Sequence, residues 1–246
     1  MFSIFKRKKP EEPFPFHLVG ADMHSHILPA IDDGSPDLEV STLLVKGLVD
    51  LGYRKLTATP HVMEDLFRNN KRTIQEASNN LKLRLAEEKV EVPIRFAAEY
   101  LLDGNVDNML AKRVPMLTIK DNLVLVEISF VSPPMYLREV LFELQMKGYQ
   151  PVFAHPERYF FYHAKPAEYT EIKDMGCLFQ CNLLSFAGYY GPPVRQAAEF
   201  LAKHDMVDFL GTDLHHDRHL QALRDLTLTP ALARIIHEKG VMNTRL

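Results

Sequence analysis

At 246 residues, with 46% of them aliphatic, aromatic, Met or Cys, the chain is long enough for one large α/β domain and apolar enough to fill its core. A formal net charge of −3 provides no general basic face for nucleic acid, so a phosphorylated ligand has to be met by a local site. The only cysteines, Cys177 and Cys181, exclude a disulfide scaffold and suit a reducing cytoplasm, and the sequence lacks the run of about 18 apolar residues that spans a membrane.

Residues 1–17 read as a tail. Met1, Phe2, Ile4 and Phe5 precede Lys6, Arg7, Lys8 and Lys9, a pattern that supports at most weak contact with an anionic membrane surface. Pro10, Pro13 and Pro15 interrupt it. From 18 to 246, strand-like apolar runs alternate with helix-period segments, the pattern of βα units around a parallel sheet in a single domain. The first strand is expected over Leu18 to His24. Ser35-Pro36-Asp37 then supplies an N-cap, a proline in the first turn and an acid for a helix that buries Leu44, Leu48 and Leu51. A strand over 55–59 stops at Pro60-His61, and a helix with Ile74, Ala77, Leu81 and Leu85 on one stripe leads to a strand over 94–100. Further strands are expected over 123–129, 151–155, 178–186 and 207–215. Proline-led helices fill the gaps at 133–147, 166–175 and 192–204, and the remainder to Leu246 reads as helical.

Ligand-type side chains gather at one end of this pattern. Asp22, His24 and His26 alternate, so an extended strand carries all three on one face. His61, Glu99, Glu127, His155, Asp213 and His215 also fall at or just past strand C-termini. Six of the seven strands contribute, and five of the 11 histidines hold such positions, which random scatter does not produce. A mixed imidazole and carboxylate set of this size suits two or three Mn²⁺, Fe²⁺ or Zn²⁺ ions sharing carboxylates, and hydrolysis is the chemistry it implies. Arg158 and Arg218, each three residues beyond a strand-end histidine, present forked donors for a phosphate. His216 and His219 read as surface residues, both cysteines as packed thiols, and the aromatic run Tyr159 to His163 as either substrate platform or core.

The ordered motifs DMHSHILPAIDDG from Asp22, TPH at 59–61, AEY at 98–100, VEIS at 126–129, HPER at 155–158 and TDLH at 212–215 resemble the polymerase-and-histidinol-phosphatase (PHP) superfamily. Within it they closely resemble the bacterial metal-dependent protein-tyrosine phosphatases that act on tyrosine kinases governing capsule and exopolysaccharide export. The resemblance implies a distorted (β/α)7 TIM-like barrel and a cytoplasmic phosphatase using two or three divalent ions, manganese foremost with iron or zinc as alternatives. Its substrate would be a phosphotyrosine-bearing protein, a bacterial tyrosine kinase. By the same resemblance His24, His26, Glu99 and Asp213 hold one ion, and Glu99 bridges to a second held by Glu127 and His155. A third uses His61, His215 and one of Asp32 and Asp33, with Asp33 favoured. Asp22 would orient a histidine, and Arg158 and Arg218 would bind the phosphate. Val62 departs from the pattern, standing where many relatives carry a second histidine.

A small-molecule phosphoesterase, such as a histidinol-phosphate phosphatase, would use the same residues, and a PHP-type nuclease is disfavoured by the absent basic bias. A docking partner that binds a phosphotyrosine tail with little turnover is the non-enzyme alternative. Hydrolysis by metal-activated water needs no covalent thiol intermediate. Chelation is therefore expected to abolish turnover, while a Cys177→Ser, Cys181→Ser double variant keeps it; a folded but inactive double variant would contradict the metal-hydrolase expectation.

Overall fold

The computed structural model describes residues 12–246. The membrane-surface contact expected of Met1 to Lys9 lies outside the described residues. Phe14 and Phe16 are buried, Phe16 packs edge-on against Tyr53, and the Phe14 N–H donates to the Leu226 carbonyl at 2.9 Å. Apolar burial thus draws the packed body ahead of residue 18, where the sequence pattern puts its start.

Among the described residues nine short strands form the framework: β1 (Ala21–Asp22), β2 (Lys55–Ala58), β3 (His61–Val62), β4 (Ile94–Phe96), β5 (Glu99–Leu101), β6 (Leu123–Glu127), β7 (Gln150–Ala154), β8 (Leu178–Asn182) and β9 (Phe209–Gly211). Neighbours are parallel throughout, in the orders β1-β2-β4 and β3-β5-β6-β7-β8-β9. β2 runs on into β3 past Pro60, and β4 into β5 past Ala97-Ala98, so the nine strands are seven paths. Proline gives no N–H to a ladder, which explains the first break. The Glu99 N–H still reaches the Pro60 carbonyl at 3.1 Å, keeping the two paths side by side.

Two of the expected strands give up part of their apolar runs to helical turns. Leu18 and Val19 belong to a single helical turn, Phe16–Val19, which buries Phe16 and Val19 three apart and leaves Leu18 partly exposed. Leu183–Phe186 is likewise a helical turn rather than the end of β8, and it carries the Ser185 hydroxyl to Glu157 at 2.7 Å.

The seven paths close on themselves through little backbone pairing. Ser25 and Leu214 make a lone parallel bridge, with the His26 N–H on the Leu214 carbonyl at 2.9 Å and the Asp213 N–H on the His24 carbonyl at 2.8 Å. Side chains fill the rest of the seam. Asn243, fully buried, donates to the carbonyls of Ala21 (2.9 Å) and Leu210 (2.7 Å) and accepts from the Leu210 N–H (3.0 Å), standing in for a missing strand. Asp22 accepts from the N–H (3.0 Å) and hydroxyl (2.7 Å) of Thr212. Both of its oxygens are engaged across the seam by Thr212, and its contact with His24 is to that residue's backbone rather than its ring, unlike the orienting role that the resemblance implies. Burial pushes its carboxyl up to about 6 against those two hydrogen bonds.

Removing the Asn243 amide leaves three buried backbone groups without partners, and each such group costs about 1–3 kcal/mol. Asn243→Ala is expected to lower the urea midpoint with an unchanged slope, by an amount corresponding to at least about 2 kcal/mol. A wild-type midpoint would show that the seam does not depend on this residue.

Candidate metal centre

The C-terminal ends of the paths converge on a cleft of about 270 Å³, lined by Asp33, His61, Glu127, Phe130, His155, Arg158, Tyr190, Asp213, His215, His216 and His219. Two of its residues leave their strands in the left-handed region, His155 at φ +34° and Asp213 at φ +50°. Non-glycine residues hold that conformation at a cost, and it persists where the surrounding structure over-determines it. A third constraint lies at Gly34, where a Cβ would come within 2.2 Å of the His26 carbonyl oxygen; only glycine lets the Asp32–Gly34 loop close over His26.

Donor atoms from six paths then meet. His24 Nε2 lies 3.3 Å from His26 Nε2, 3.2 Å from Glu99 Oε2 and 3.4 Å from Asp213 Oδ1. His26 Nε2 lies 3.3 Å from Glu99 Oε2 and 3.6 Å from Asp213 Oδ1. Four tetrahedral donors bound at about 2.1 Å from one ion stand about 3.4 Å apart, so these separations are those of a metal cage. Glu99 extends it on both sides: its Oε1 is 3.0 Å from His155 Nε2, and its Oε2 is 3.2 Å from His61 Nδ1, which is 2.9 Å from Glu127 Oε1. On the outer side His61 Nε2 and His215 Nε2 face Asp33 Oδ1 at 3.4 and 3.6 Å.

Among the described residues four groupings could hold an ion; three are wholly buried, and the fourth, His26, Asp33, His61 and His215, opens at Asp33. Glu99 Oε2, Glu127 Oε1 and His61 Nδ1 are buried and, though the imidazole nitrogen is 2.9–3.2 Å from the two oxygens, are not aligned for a well-formed hydrogen bond, the condition that a cation between them relieves. The electrostatics agree. Burial disfavours charge on His24, yet the Glu99 and Asp213 carboxylates override it and raise the imidazole to about 9. Burial likewise opposes charge on Asp213, but His24, His215 and Arg158 hold it well below the usual carboxylate range. A hydrogen bond from His215 keeps Asp33 down at about 2. The donor set and its charge therefore fit divalent ions.

Of the residues singled out in the sequence, His24, His26, Asp33, His61, Glu99, Glu127, His155, Asp213 and His215 all stand in this cluster. Asp32 lies behind it, its Oδ2 2.8 Å from His26 Nδ1, which leaves Asp33 to face the cleft. Arg158 lines the cleft and donates to Asp213 Oδ2 at 2.8 Å, its guanidinium 4.9 Å from the Phe130 ring centre and 4.5 Å from that of Tyr190. Arg218 is not brought in: it is exposed in the first turn of the helix Asp217–Arg224 and does not line the cleft. The same helix turns His219 inward instead. His219 is buried beneath His215, whose N–H reaches its Nδ1 at 3.3 Å, and burial pushes it down to about 4. The exposed His216 also lines the cleft. In the aromatic run, Tyr159 and Tyr162 are core, whereas Phe160 is exposed and away from the cleft lining. Both cysteines are buried and free.

A model of the capsular polysaccharide synthesis family CpsB/CapC matches residues 20–236. The tyrosine-protein phosphatase YwqE of Bacillus subtilis (strain 168) is 32% identical over 196 residues, which cover 79% of this chain and 77% of the relative. The tyrosine-protein phosphatase CpsB of Streptococcus pneumoniae is 29% identical over 205 residues, 79% of this chain and 82% of the relative. The fold is similar to a solved structure from work on those two proteins, described as unique metal-dependent tyrosine phosphatases. Its TM-score is 0.78 at 30% identity, covering 92% of this chain and 90% of the other.

Glu99 belongs to two of the four groupings, so its charge acts on more than one ion position. Glu99→Gln is expected to lower the bound divalent metal per chain, measured by elemental analysis, together with the rate. Full metal content with full activity would exclude a bridging role.

Proposed function

Because the chain belongs to the CpsB/CapC family of capsular polysaccharide synthesis, we propose that it is a metal-dependent protein-tyrosine phosphatase. Its substrate is a phosphotyrosine-bearing protein, a bacterial tyrosine kinase of capsule or exopolysaccharide export. The observation that carries the reading is Arg158 at the mouth of the imidazole and carboxylate cage, clamped by Asp213, Phe130 and Tyr190. Burial opposes its charge, but the Asp213 carboxylate keeps the guanidinium firmly protonated. Held in this way, its planar fork loses little freedom on gripping a phosphate.

His24, His26, Glu99 and Asp213 would hold one ion, with Glu99, Glu127 and His61 or His155 around a second and Asp33, His61 and His215 around a third. When bound, such ions supply a water of lowered pKa and neutralise charge on the phosphoryl group. Mn²⁺ is the proposed metal, since mixed imidazole and carboxylate donors suit it, with Fe²⁺ and Zn²⁺ as the other candidates. Phe130, 47% exposed at the cleft and stacked at 5.6 Å on His155, presents an aromatic face to a substrate phenyl ring. A tyrosine phenolate is also a weaker base than a serine alkoxide and leaves more readily, which favours the aryl ester. A cytoplasmic setting belongs to the same proposal, supported by the free thiols. Among the described residues no helix is long and apolar enough to cross a membrane.

The substrate test is hydrolysis of phosphotyrosine peptide, phosphoserine peptide and histidinol phosphate by Mn²⁺-loaded protein, with phosphotyrosine expected to be preferred by at least about tenfold. Comparable rates on all three would remove the assignment. Arg158→Ala is expected to lower kcat/KM by about one to two decades, as for loss of one charge-assisted phosphate contact, and Arg158→Lys to recover part of it. Metal content should persist in both, because Asn182 Nδ2 still donates to Asp213 Oδ2 at 2.7 Å. Wild-type kinetics in Arg158→Ala would take this residue out of the phosphate site.

A further inference from the structure

β8 is the one path of the seven that brings no candidate ligand to the cleft. Its alternate residues Gln180 and Asn182 nevertheless point into the barrel, and both are fully buried. Two buried neutral amides need hydrogen-bond partners. Those partners are the candidate ligands and each other. Gln180 Oε1 stands 2.7 Å from His24 Nδ1, Gln180 Nε2 donates to Asn182 Oδ1 at 2.9 Å, and Asn182 Nδ2 donates to Asp213 Oδ2 at 2.7 Å. The Asn182 N–H is anchored on Glu157 Oε1 at 2.8 Å.

The chain has a direction. A carboxylate oxygen only accepts, so Asn182 must turn its NH₂ to Asp213 and its carbonyl to Gln180. Gln180 must then give its NH₂ to Asn182 and its carbonyl to His24, which makes His24 Nδ1 a donor and leaves Nε2 as the nitrogen that faces the cage, the one that would give up its proton to bind an ion. At the other end, Asp213 Oδ2 is occupied by Asn182 and Arg158, which leaves Oδ1 facing His24 and His26. Neighbouring packing is cut to fit. Gly211 lies opposite Asn182 in the β8–β9 register, and a Cβ there would stand 2.7 Å from Gln180 Nε2 and 2.9 Å from the His24 Cβ.

We propose that Gln180 and Asn182 form a directional amide relay that positions His24 and Asp213 for the same ion, presenting Nε2 of one and Oδ1 of the other. The inference rests on the metal-centre reading above. Groups of this kind behind a metal ligand change affinity by about ten- to hundredfold when removed.

The test is calorimetric titration of metal-free protein with Mn²⁺, beside thermal melting of each metal-free variant and KM for a phosphotyrosine peptide at saturating Mn²⁺. Gln180→Met and Asn182→Leu are expected to weaken Mn²⁺ binding by about ten- to hundredfold with little change in KM. Gln180→Glu loses the donor to Asn182 but keeps an acceptor for His24 Nδ1, and is expected to retain more affinity than Gln180→Met, which loses both. A role in packing alone predicts the reverse order, because a buried carboxylate is harder to accommodate than a thioether. Should Gln180→Met not fold, the comparison of Gln180→Glu with Asn182→Leu carries the test. Wild-type affinity in the folded variants, or tighter binding by the Met variant than by the Glu variant, would overturn the relay alone. A wild-type protein that takes up no Mn²⁺ would overturn the metal reading itself.

Discussion

Buried negative charge at the mouth of the barrel is the constraint on which the rest of the structure depends. Glu99, Glu127 and Asp213 are at most 2% exposed, and although Arg158 and Asn182 donate to one oxygen of Asp213, the oxygens that face the cleft meet a few imidazoles rather than a shell of N–H donors. Removing ionised carboxylates from water costs several kcal/mol each unless cations compensate. In the protein alone, protons drawn onto His24 and His26 supply part of that charge. Divalent ions supply it more completely, and that demand makes the cluster a candidate active site instead of a stabilising feature.

Parallel strands suit this task because every path delivers its C-terminal end to the same face. The barrel gives up regularity to do so. Two paths are interrupted just before or at a candidate ligand, at Pro60 ahead of His61 and at Ala97-Ala98 ahead of Glu99. His155 and Asp213 turn into the cleft through left-handed backbone. The seam between β1 and β9 is held largely by Asn243, and by Asp22 on Thr212, in place of a ladder. Each departure from ideal geometry sits beside the charge cluster or closes the ring that carries it, as expected where function competes with regular structure.

The candidate ligands were legible because a His, Asp or Glu ending an apolar run is a local pattern, visible without knowing what it will touch. Their supports were not. Gln180 and Asn182 read as ordinary residues of a strand, although two amides at period two in the apolar run LFQCN were a signal that their common face meets something polar. Asp22 shares the alternation of His24 and His26 but is taken by Thr212, 190 residues away. Asn243 contributes to the fold through Ala21, 222 residues distant, and nothing local announces it. The exchange of Arg218 for His219 came from helix phase: once His216 caps the helix, the third residue after the cap, His219, turns inward rather than the second, Arg218. In the same way Leu183–Phe186 extends an apolar run yet forms a helical turn, because periodicity alone does not separate a buried strand from a buried turn.

Anomalous diffraction at the manganese absorption edge, from crystals grown with Mn²⁺, addresses the metal cage most directly. Peaks are expected between His24, His26, Glu99 and Asp213, and beside Glu99 and Glu127, with Gln180 and Asn182 outside bonding distance of the ions. A well-ordered map with no peak among these side chains, or with manganese bound only elsewhere on the protein, would contradict the metal centre and the phosphatase reading built on it.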